Sequence, residues 1–280
     1  MRVLRSSVFL AALALSPLVL SQPASAGLFV SVQIAPPALP VYAQPPLPAP
    51  GYIWTPGYWA YGDAGYYWVP GTWVMAPQPG LLWTPAYWGW SEGVYVFHAG
   101  YWGPHVGFYG GINYGFGYGG VGYLGGRWDH GEFAYNRSVN NVNITNVHNV
   151  YTQNVVNNTT VNRVSFNGGA GGINARPNAE EQAFEHEQHV PPTALQAQHQ
   201  QVASTNRAQF ASVNHGRPGV AASPRPGAMS GRGVVAATAR PAGVGHAQAG
   251  GQPHPAAAPH PQRASRPQQG RPAGHEKEQH

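Results

Sequence analysis

Hydrophobic and polar positions change their rhythm several times along this chain. Leu28, Val30, Val32 and Ile34 alternate with Phe29, Ser31 and Gln33, a period of two that predicts a single strand. Pro36 to Pro50 then holds seven prolines, with Val41 and Tyr42 among its few larger apolar groups. That composition predicts an extended polyproline II spacer of some stiffness. From Gly51 a new unit takes over: Gly51-Tyr52-Ile53-Trp54-Thr55-Pro56-Gly57-Tyr58-Trp59. It returns as Gly65-Tyr66-Tyr67-Trp68-Val69-Pro70-Gly71-Thr72-Trp73 and as Gly80-Leu81-Leu82-Trp83-Thr84-Pro85-Ala86-Tyr87-Trp88. A worn fourth copy, Phe97-His98-Ala99-Gly100-Tyr101-Trp102, keeps the ending. The leading ring recurs after 14, 15 and 14 residues, and such a fixed period marks repeated supersecondary units.

Within each unit, period-two spacing puts Tyr52 and Trp54 on one strand face and Trp59 and Tyr61 on one face of the next. Thr55-Pro56-Gly57-Tyr58 has the proline and glycine positions of a type II turn. A tight hairpin there sets Trp54 opposite Trp59, but L-Pro-Gly does not supply the primed turn such hairpins prefer. A wider bend is the alternative. Polar turns ending in glycine follow at Gly62-Asp63-Ala64-Gly65, Gln78-Pro79-Gly80 and Ser91-Glu92-Gly93, so the expectation is an antiparallel meander of short strands. The stretch from Gly51 to Trp102 has 17 aromatic residues and few aliphatic ones. Offsetting the entropy of ordering this chain therefore requires most of those rings to be buried.

The next segments differ in material. In Tyr114-Gly115-Phe116-Gly117-Tyr118-Gly119, rings on one strand face and glycines on the other favour close backbone approach. Tyr123-Leu124-Gly125-Gly126-Arg127-Trp128 reads as a fifth worn copy. Asn136 to Asn167 mixes asparagine with valine at no clean period; edge strands or a loosely held extension both fit, and Asn-rich β-prone chains self-associate. Its Asn136, Asn143, Asn157 and Asn158 glycosylation patterns read as chance matches. Asn178 with Glu180 and Glu181 predicts a helix start, Pro191-Pro192 a break, and Thr193 to Asn206 a second, polar helix. Repeated Arg-Pro pairs among Ala and Gly then predict a disordered tail; from Arg217 to His280 it carries eight Arg or Lys against two Glu. The divisions are a leader at 1–26, strand and Pro-rich linker at 27–50 and an aromatic repeat β region at 51–135. An Asn/Val-rich extension at 136–174, a polar helical segment at 175–214 and a basic tail at 215–280 follow.

Composition narrows the function classes. The chain has 280 residues, a formal charge of +5 and no cysteine, which excludes disulfides, thiol catalysis and a lipid anchor on cysteine. Met1 to Arg5 is a basic head, Val8 to Leu20 an apolar run, and Ala24-Ser25-Ala26 a small-x-small site. This is the grammar of a signal peptide cleaved after Ala26, so the mature chain is expected in the periplasm, at the cell surface or outside, with no transmembrane span. Gly117-Tyr118-Gly119-Gly120-Val121-Gly122 matches a dinucleotide pattern, but more glycine follows where a helix should begin. His186-Glu187-Gln188-His189 is one residue short of a zincin motif. Asp129, His130 and Glu132 could form an acid–base trio, yet nothing nearby supplies a nucleophile or an oxyanion cradle.

No enzyme, metal or cofactor is therefore expected, and a hydrolase using Asp129, His130 and Glu132 is a remote alternative. The basic tail has no aromatics to interleave with bases, so no nucleic-acid partner is expected; loose attraction to anionic envelope surfaces fits better. Stacking rings in an exported protein make envelope polysaccharide the rival partner, through whichever of Trp54, Trp59, Trp68, Trp73, Trp83, Trp88, Trp90, Trp102 and Trp128 stay exposed. Pro56, Gly57, Pro70, Gly71 and Pro85 are the expected turn residues.

On Tyr52-x-Trp54, the Trp-x-Pro-Gly-x-Trp copies and Tyr87-Trp88-Gly89-Trp90, the chain resembles the YXWGXW (also WXXGXW) repeat family of exported bacterial proteins. The resemblance runs on through Gly103 to Gly111, Trp128 and the Asn-rich segment to Val213-Asn214-His215-Gly216-Arg217-Pro218. It implies an architecture and no particular activity. The combined expectation is a mainly β fold, a short-strand antiparallel repeat sheet rich in Trp, Tyr and Gly, followed by short helices and a disordered tail. Its role is structural, adhesive or binding.

Overall fold

The computed structural model describes residues 30–143, 145–155 and 163–238. The expected leader and the tail beyond residue 238 lie outside the described residues. Among them the protein is mainly strand, in small sheets that are mostly antiparallel, with three short α-helices.

β1 (Ser31–Val32) precedes the repeats, which form β2 (Tyr52–Thr55), β3 (Tyr58–Gly62), β4 (Gly65–Val69), β5 (Gly71–Met75), β6 (Leu82–Thr84), β7 (Tyr87–Ser91), β8 (Val94–His98) and β9 (Tyr101–Gly103). Its pairing departs from a meander of tight hairpins. β3 pairs with β4, Trp59 opposite Trp68, whereas β2 passes over to β5, with Trp54 opposite Trp73. The second half repeats this: β7 pairs with β8, Trp88 opposite Phe97, and β6 with β9, Trp83 opposite Trp102.

Each half is thus one hairpin whose two arms are both bent at a Pro-Gly-type corner. Trp54 and Trp59 stand on either side of a corner and do not face each other. The reason is chemical. Proline cannot donate to the ladder and holds the preceding Thr55, Val69 or Thr84 extended, so Pro56, Pro70 and Pro85 interrupt the strand without reversing it. Reversal occurs instead at the polar turns. Glu92 and Gly93, at φ 48° and 90°, make the left-handed pair of a tight primed turn.

After the repeats come β10 (Asn113–Gly115), β11 (Tyr118–Gly119), β12 (Gly126–Asp129), β13 (Glu132–Asn136), β14 (Val150–Tyr151) and β15 (Phe166–Asn167). The run Tyr114 to Gly119 is a hairpin rather than one strand, because Phe116 and Gly117 turn it at φ 52° and 96°. The worn fifth copy enters β12, where Trp128 faces Phe133. Helices α1 (Ala179–Phe184) and α2 (Ala194–Thr205) start at Asn178 and Thr193, each closed by a reciprocal capping box with Glu181 and Gln196. Helix α3 (Ala211–Asn214) and β16 (Ala222–Ser223) complete the described chain.

Two segments read as peripheral are built into the core. In the Pro-rich stretch 36–50, Leu39, Tyr42, Gln44 and Leu47 are buried. Its Ala38 and Pro45 carbonyls accept the indole N–H groups of Trp59 and Trp73 at 3.1 and 2.9 Å. An extended Pro-rich chain suits this because its carbonyls point outward unpaired; it is a strap and no spacer. Likewise residues 215–238 are not loose: β16 pairs in parallel with β5, and Ala221, Ala222 and Ser223 are fully buried. Small side chains let this strand sit against the repeat face.

Among the described residues of the Asn-rich extension, Asn136 is a hub whose amide donates to Leu124 and Gln153 carbonyls and accepts from Ser138 and Gln153 N–H. All four of its hydrogen-bonding sites are used, and it is fully buried, so this asparagine is no glycan acceptor.

Candidate functional site

The corners hold most of the residues singled out by the sequence. At Gly57 a Cβ would lie 2.3 Å from Trp68 Cζ2 and 2.7 Å from the Gly71 nitrogen. At Gly71 it would lie 2.6 Å from Trp54 Cζ2, and at Gly100 2.4 Å from Trp83 Cζ2. Each glycine leaves room for the indole of a ring on the opposite arm. The paired rings meet edge to face in the first copy, Trp54–Trp73 and Trp59–Trp68 both at 5.2 Å, and at a tilt in the second, Trp83–Trp102 at 5.3 Å and Trp88–Phe97 at 5.1 Å. Such pairs add stabilisation beyond the area they bury.

A bent strand leaves backbone groups without ladder partners, and buried ones have to be satisfied. Here distant side chains do it. Tyr42 Oη accepts from Gly57 N–H, Tyr114 Oη donates to the Ala86 carbonyl, and Tyr118 Oη lies 2.9 Å from the Trp83 carbonyl and 3.3 Å from that of Trp54. His199 Nε2–H donates to the Pro70 carbonyl and Gln209 to that of Trp68. Burial pushes the phenols of Tyr42, Tyr114 and Tyr118 well above the ordinary tyrosine range, so they stay protonated. These clamp residues were missed in the sequence. They lie in other segments, and no local pattern announces which corner each one reaches.

The indole nitrogens are equally committed. Trp68 donates to the Ala221 carbonyl, Trp88 to Trp59, Trp102 to Gln196 Oε1 and Trp128 to Leu81, all at 2.8–2.9 Å. Trp54 Nε1 alone among the described tryptophans is buried without a partner. Trp90 is the one repeat tryptophan in the open, 41% exposed and edge-on to Tyr95 at 4.6 Å.

The family comparison coincides with this geometry. The WXXGXW repeat model matches residues 50–74 and 79–102, which are the two doubly bent hairpins. The chain carries two copies of the WXXGXW repeat. No curated protein and no solved structure matches it. One WXXGXW arm is one bent strand: its glycine is the corner, and its two outer rings belong to two different cross-strand pairs. The second copy departs from the pattern at two places, Ala86 for glycine and Phe97 for tryptophan. Those positions correspond to Gly57 and Trp68, which touch in the first copy, so the departures compensate. Ala86 and Phe97 both line a small cavity of about 60 Å³.

Asp129, His130 and Glu132 occupy the exposed tip of the β12–β13 hairpin, with His130 Nδ1 2.7 Å from Asp129 Oδ1. Gly117 to Gly122 runs through β11 into a loop and opens no helix. The His186 to His189 motif lies beyond the end of α1, so it is not helical; His189 stacks on Tyr101 at 3.7 Å, and its Nε2 lies 3.0 Å from the Phe184 carbonyl. No helix among the described residues is long and apolar enough to cross a membrane. A wider groove of about 480 Å³ opens between the end of the first repeat, the β12–β13 hairpin and residues 146–149. Trp128 lines it and is partly exposed.

Proposed function

We propose that this chain is an exported, non-enzymatic protein of the cell envelope with a structural or interaction role. The observation that carries this reading is the commitment of the repeat rings. Seven of the eight tryptophans from Trp54 to Trp102 are buried, and most of their N–H groups bind carbonyl oxygens of the protein itself. A ring buried on both faces cannot stack on a ligand; its work is to supply the core of a chain poor in aliphatic residues. The acid–base alternative draws little support from Asp129 and His130, which pair with each other at an exposed turn. The envelope assignment rests on the basic head, apolar run and Ala24-Ser25-Ala26 site.

Fractionation tests it. The full chain, expressed in a bacterium, is expected outside the cytoplasm with Gly27 as its first residue, and a variant lacking residues 1–26 is expected to stay inside. A full-length chain retained in the cytoplasm with Met1 intact refutes the reading.

A further inference from the structure

The groove beside Trp128 has features that the repeat core lacks. Trp128 is held rigidly, by its N–H to the Leu81 carbonyl at 2.9 Å and by the edge-to-face contact with Phe133 at 5.3 Å, yet it keeps part of its surface on the groove. Pro50 and Pro79 stiffen the apolar wall, and Met75, 54% exposed, gives it an adaptable side. The volume of about 480 Å³ falls in the range of roughly 300–1,000 Å³ occupied by small-ligand sites.

The polar part of the wall is chemically specific. Glu132, Asn146, His148 and Asn149 contribute to it, and their side chains make no hydrogen bond or ion pair to other described residues. A carboxylate, two amides and an imidazole together offer both donors and acceptors, as vicinal hydroxyls require. No Lys or Arg lines the groove, and its one carboxylate, Glu132, repels acidic ligands. A phosphate or a uronic acid is therefore disfavoured.

The geometry points to a saccharide-binding subsite in this groove, where an uncharged pyranose lays its C–H face on Trp128 and its hydroxyls meet Glu132, Asn146, His148 and Asn149. This goes beyond the structural role proposed above and does not depend on it.

The test uses the full mature chain with two soluble probes, triacetylchitotriose and maltotriose, titrated by calorimetry and tryptophan fluorescence. At least one probe is expected to bind in the micromolar to low-millimolar range. Asn149→Ala and Glu132→Lys, which alter the rim, are expected to weaken binding about tenfold or more, equivalent to the loss of one good polar contact, with circular dichroism unchanged. Trp128→Ala is expected to abolish it. Trp90→Ala, a change outside the groove lining, is expected to leave it intact. Absence of binding by both probes overturns the proposal, as does binding that survives the rim variants or is lost with Trp90. Export and folding are read separately, so failure here leaves the envelope assignment standing.

Discussion

Gly57 lies beneath the indole of Trp68, so close that a single added methyl would sit 2.3 Å from Cζ2. The two residues are on opposite arms of one hairpin, eleven positions apart, and their contact explains why a glycine stands at the centre of the repeated motif. Its φ is not in the left-handed region; the requirement is for space, not for an unusual backbone.

Gly57→Ala is accordingly expected to destabilise the fold by about 1–3 kcal/mol, the usual range for forcing extra volume into a packed core. Gly71→Ala and Gly100→Ala should behave alike. Adding Trp68→Phe to Gly57→Ala should recover part of the loss, giving a favourable coupling of about 1 kcal/mol in a urea-unfolding double-mutant cycle. Strict additivity would sink the explanation.

The second repeat offers the converse experiment. Ala86 and Phe97 replace the glycine and tryptophan of the first copy and border the cavity of about 60 Å³. Phe97→Trp alone should be destabilising, because the larger ring meets the Ala86 methyl. Ala86→Gly alone should also cost stability by enlarging the void. The double variant is expected to unfold at a urea concentration at least equal to that of the parent. A double variant as weak as the two single changes combined would contradict the pairing.

Asn136 is buried with all four hydrogen-bonding sites filled. Asn136→Ala should cost about 3 kcal/mol or more, since it strands buried donors and acceptors at about 1–3 kcal/mol each. Hydrogen exchange should localise the loosening to residues 124–126, 138–140 and 150–153. Uniform loss of protection would argue for a different role.

His199 predicts a pH dependence with a definite sign. Its Nδ1 accepts from Gly227 N–H at 2.8 Å, so the neutral ring carries its proton on Nε2, donated to the Pro70 carbonyl. Burial lowers its pKa below the ordinary 6.5, partly countered by the Pro70 hydrogen bond. The unfolded chain then binds a proton that the folded chain refuses. Stability should be full above about pH 6.5 and fall as the pH drops towards the lowered folded value, by up to about 1.4 kcal/mol per pH unit. His98 shifts in the same direction, through burial opposed by Glu185. Urea unfolding between about pH 5 and 8 should therefore show a shallower acid slope in His199→Gln than in the parent, whatever its absolute stability. An unchanged slope would exclude His199 as its source.

Much of this architecture is legible in the chain itself. The period of the rings, the polar turns, the capping residues Asn178 and Thr193 and the need to bury most tryptophans all follow from local composition and spacing. The groove was not legible: Met75, Trp128, Asn146 and Asn149 come from three segments whose meeting has no local signature. The Pro-rich strap and the β16 strand were equally hidden, because low hydrophobicity ordinarily denotes exposure. Here a carbonyl of Ala38 and the small side chains of Ala221 and Ala222 are what the tryptophan-rich core takes in.

The sequence alone determined that Trp-x-Pro-Gly-x-Trp would bend the chain between two rings. Only the tertiary structure decided that the bend is a corner within a strand and that the rings pair across to the other arm. The physical reason lies in the corner's unpaired peptide groups. L-Pro-Gly disfavours a tight primed hairpin but still allows a wider reversal, and the corner is the geometry whose buried carbonyls and N–H groups are met by Tyr42, Tyr118, His199 and Gln209, residues that no local pattern ties to the motif.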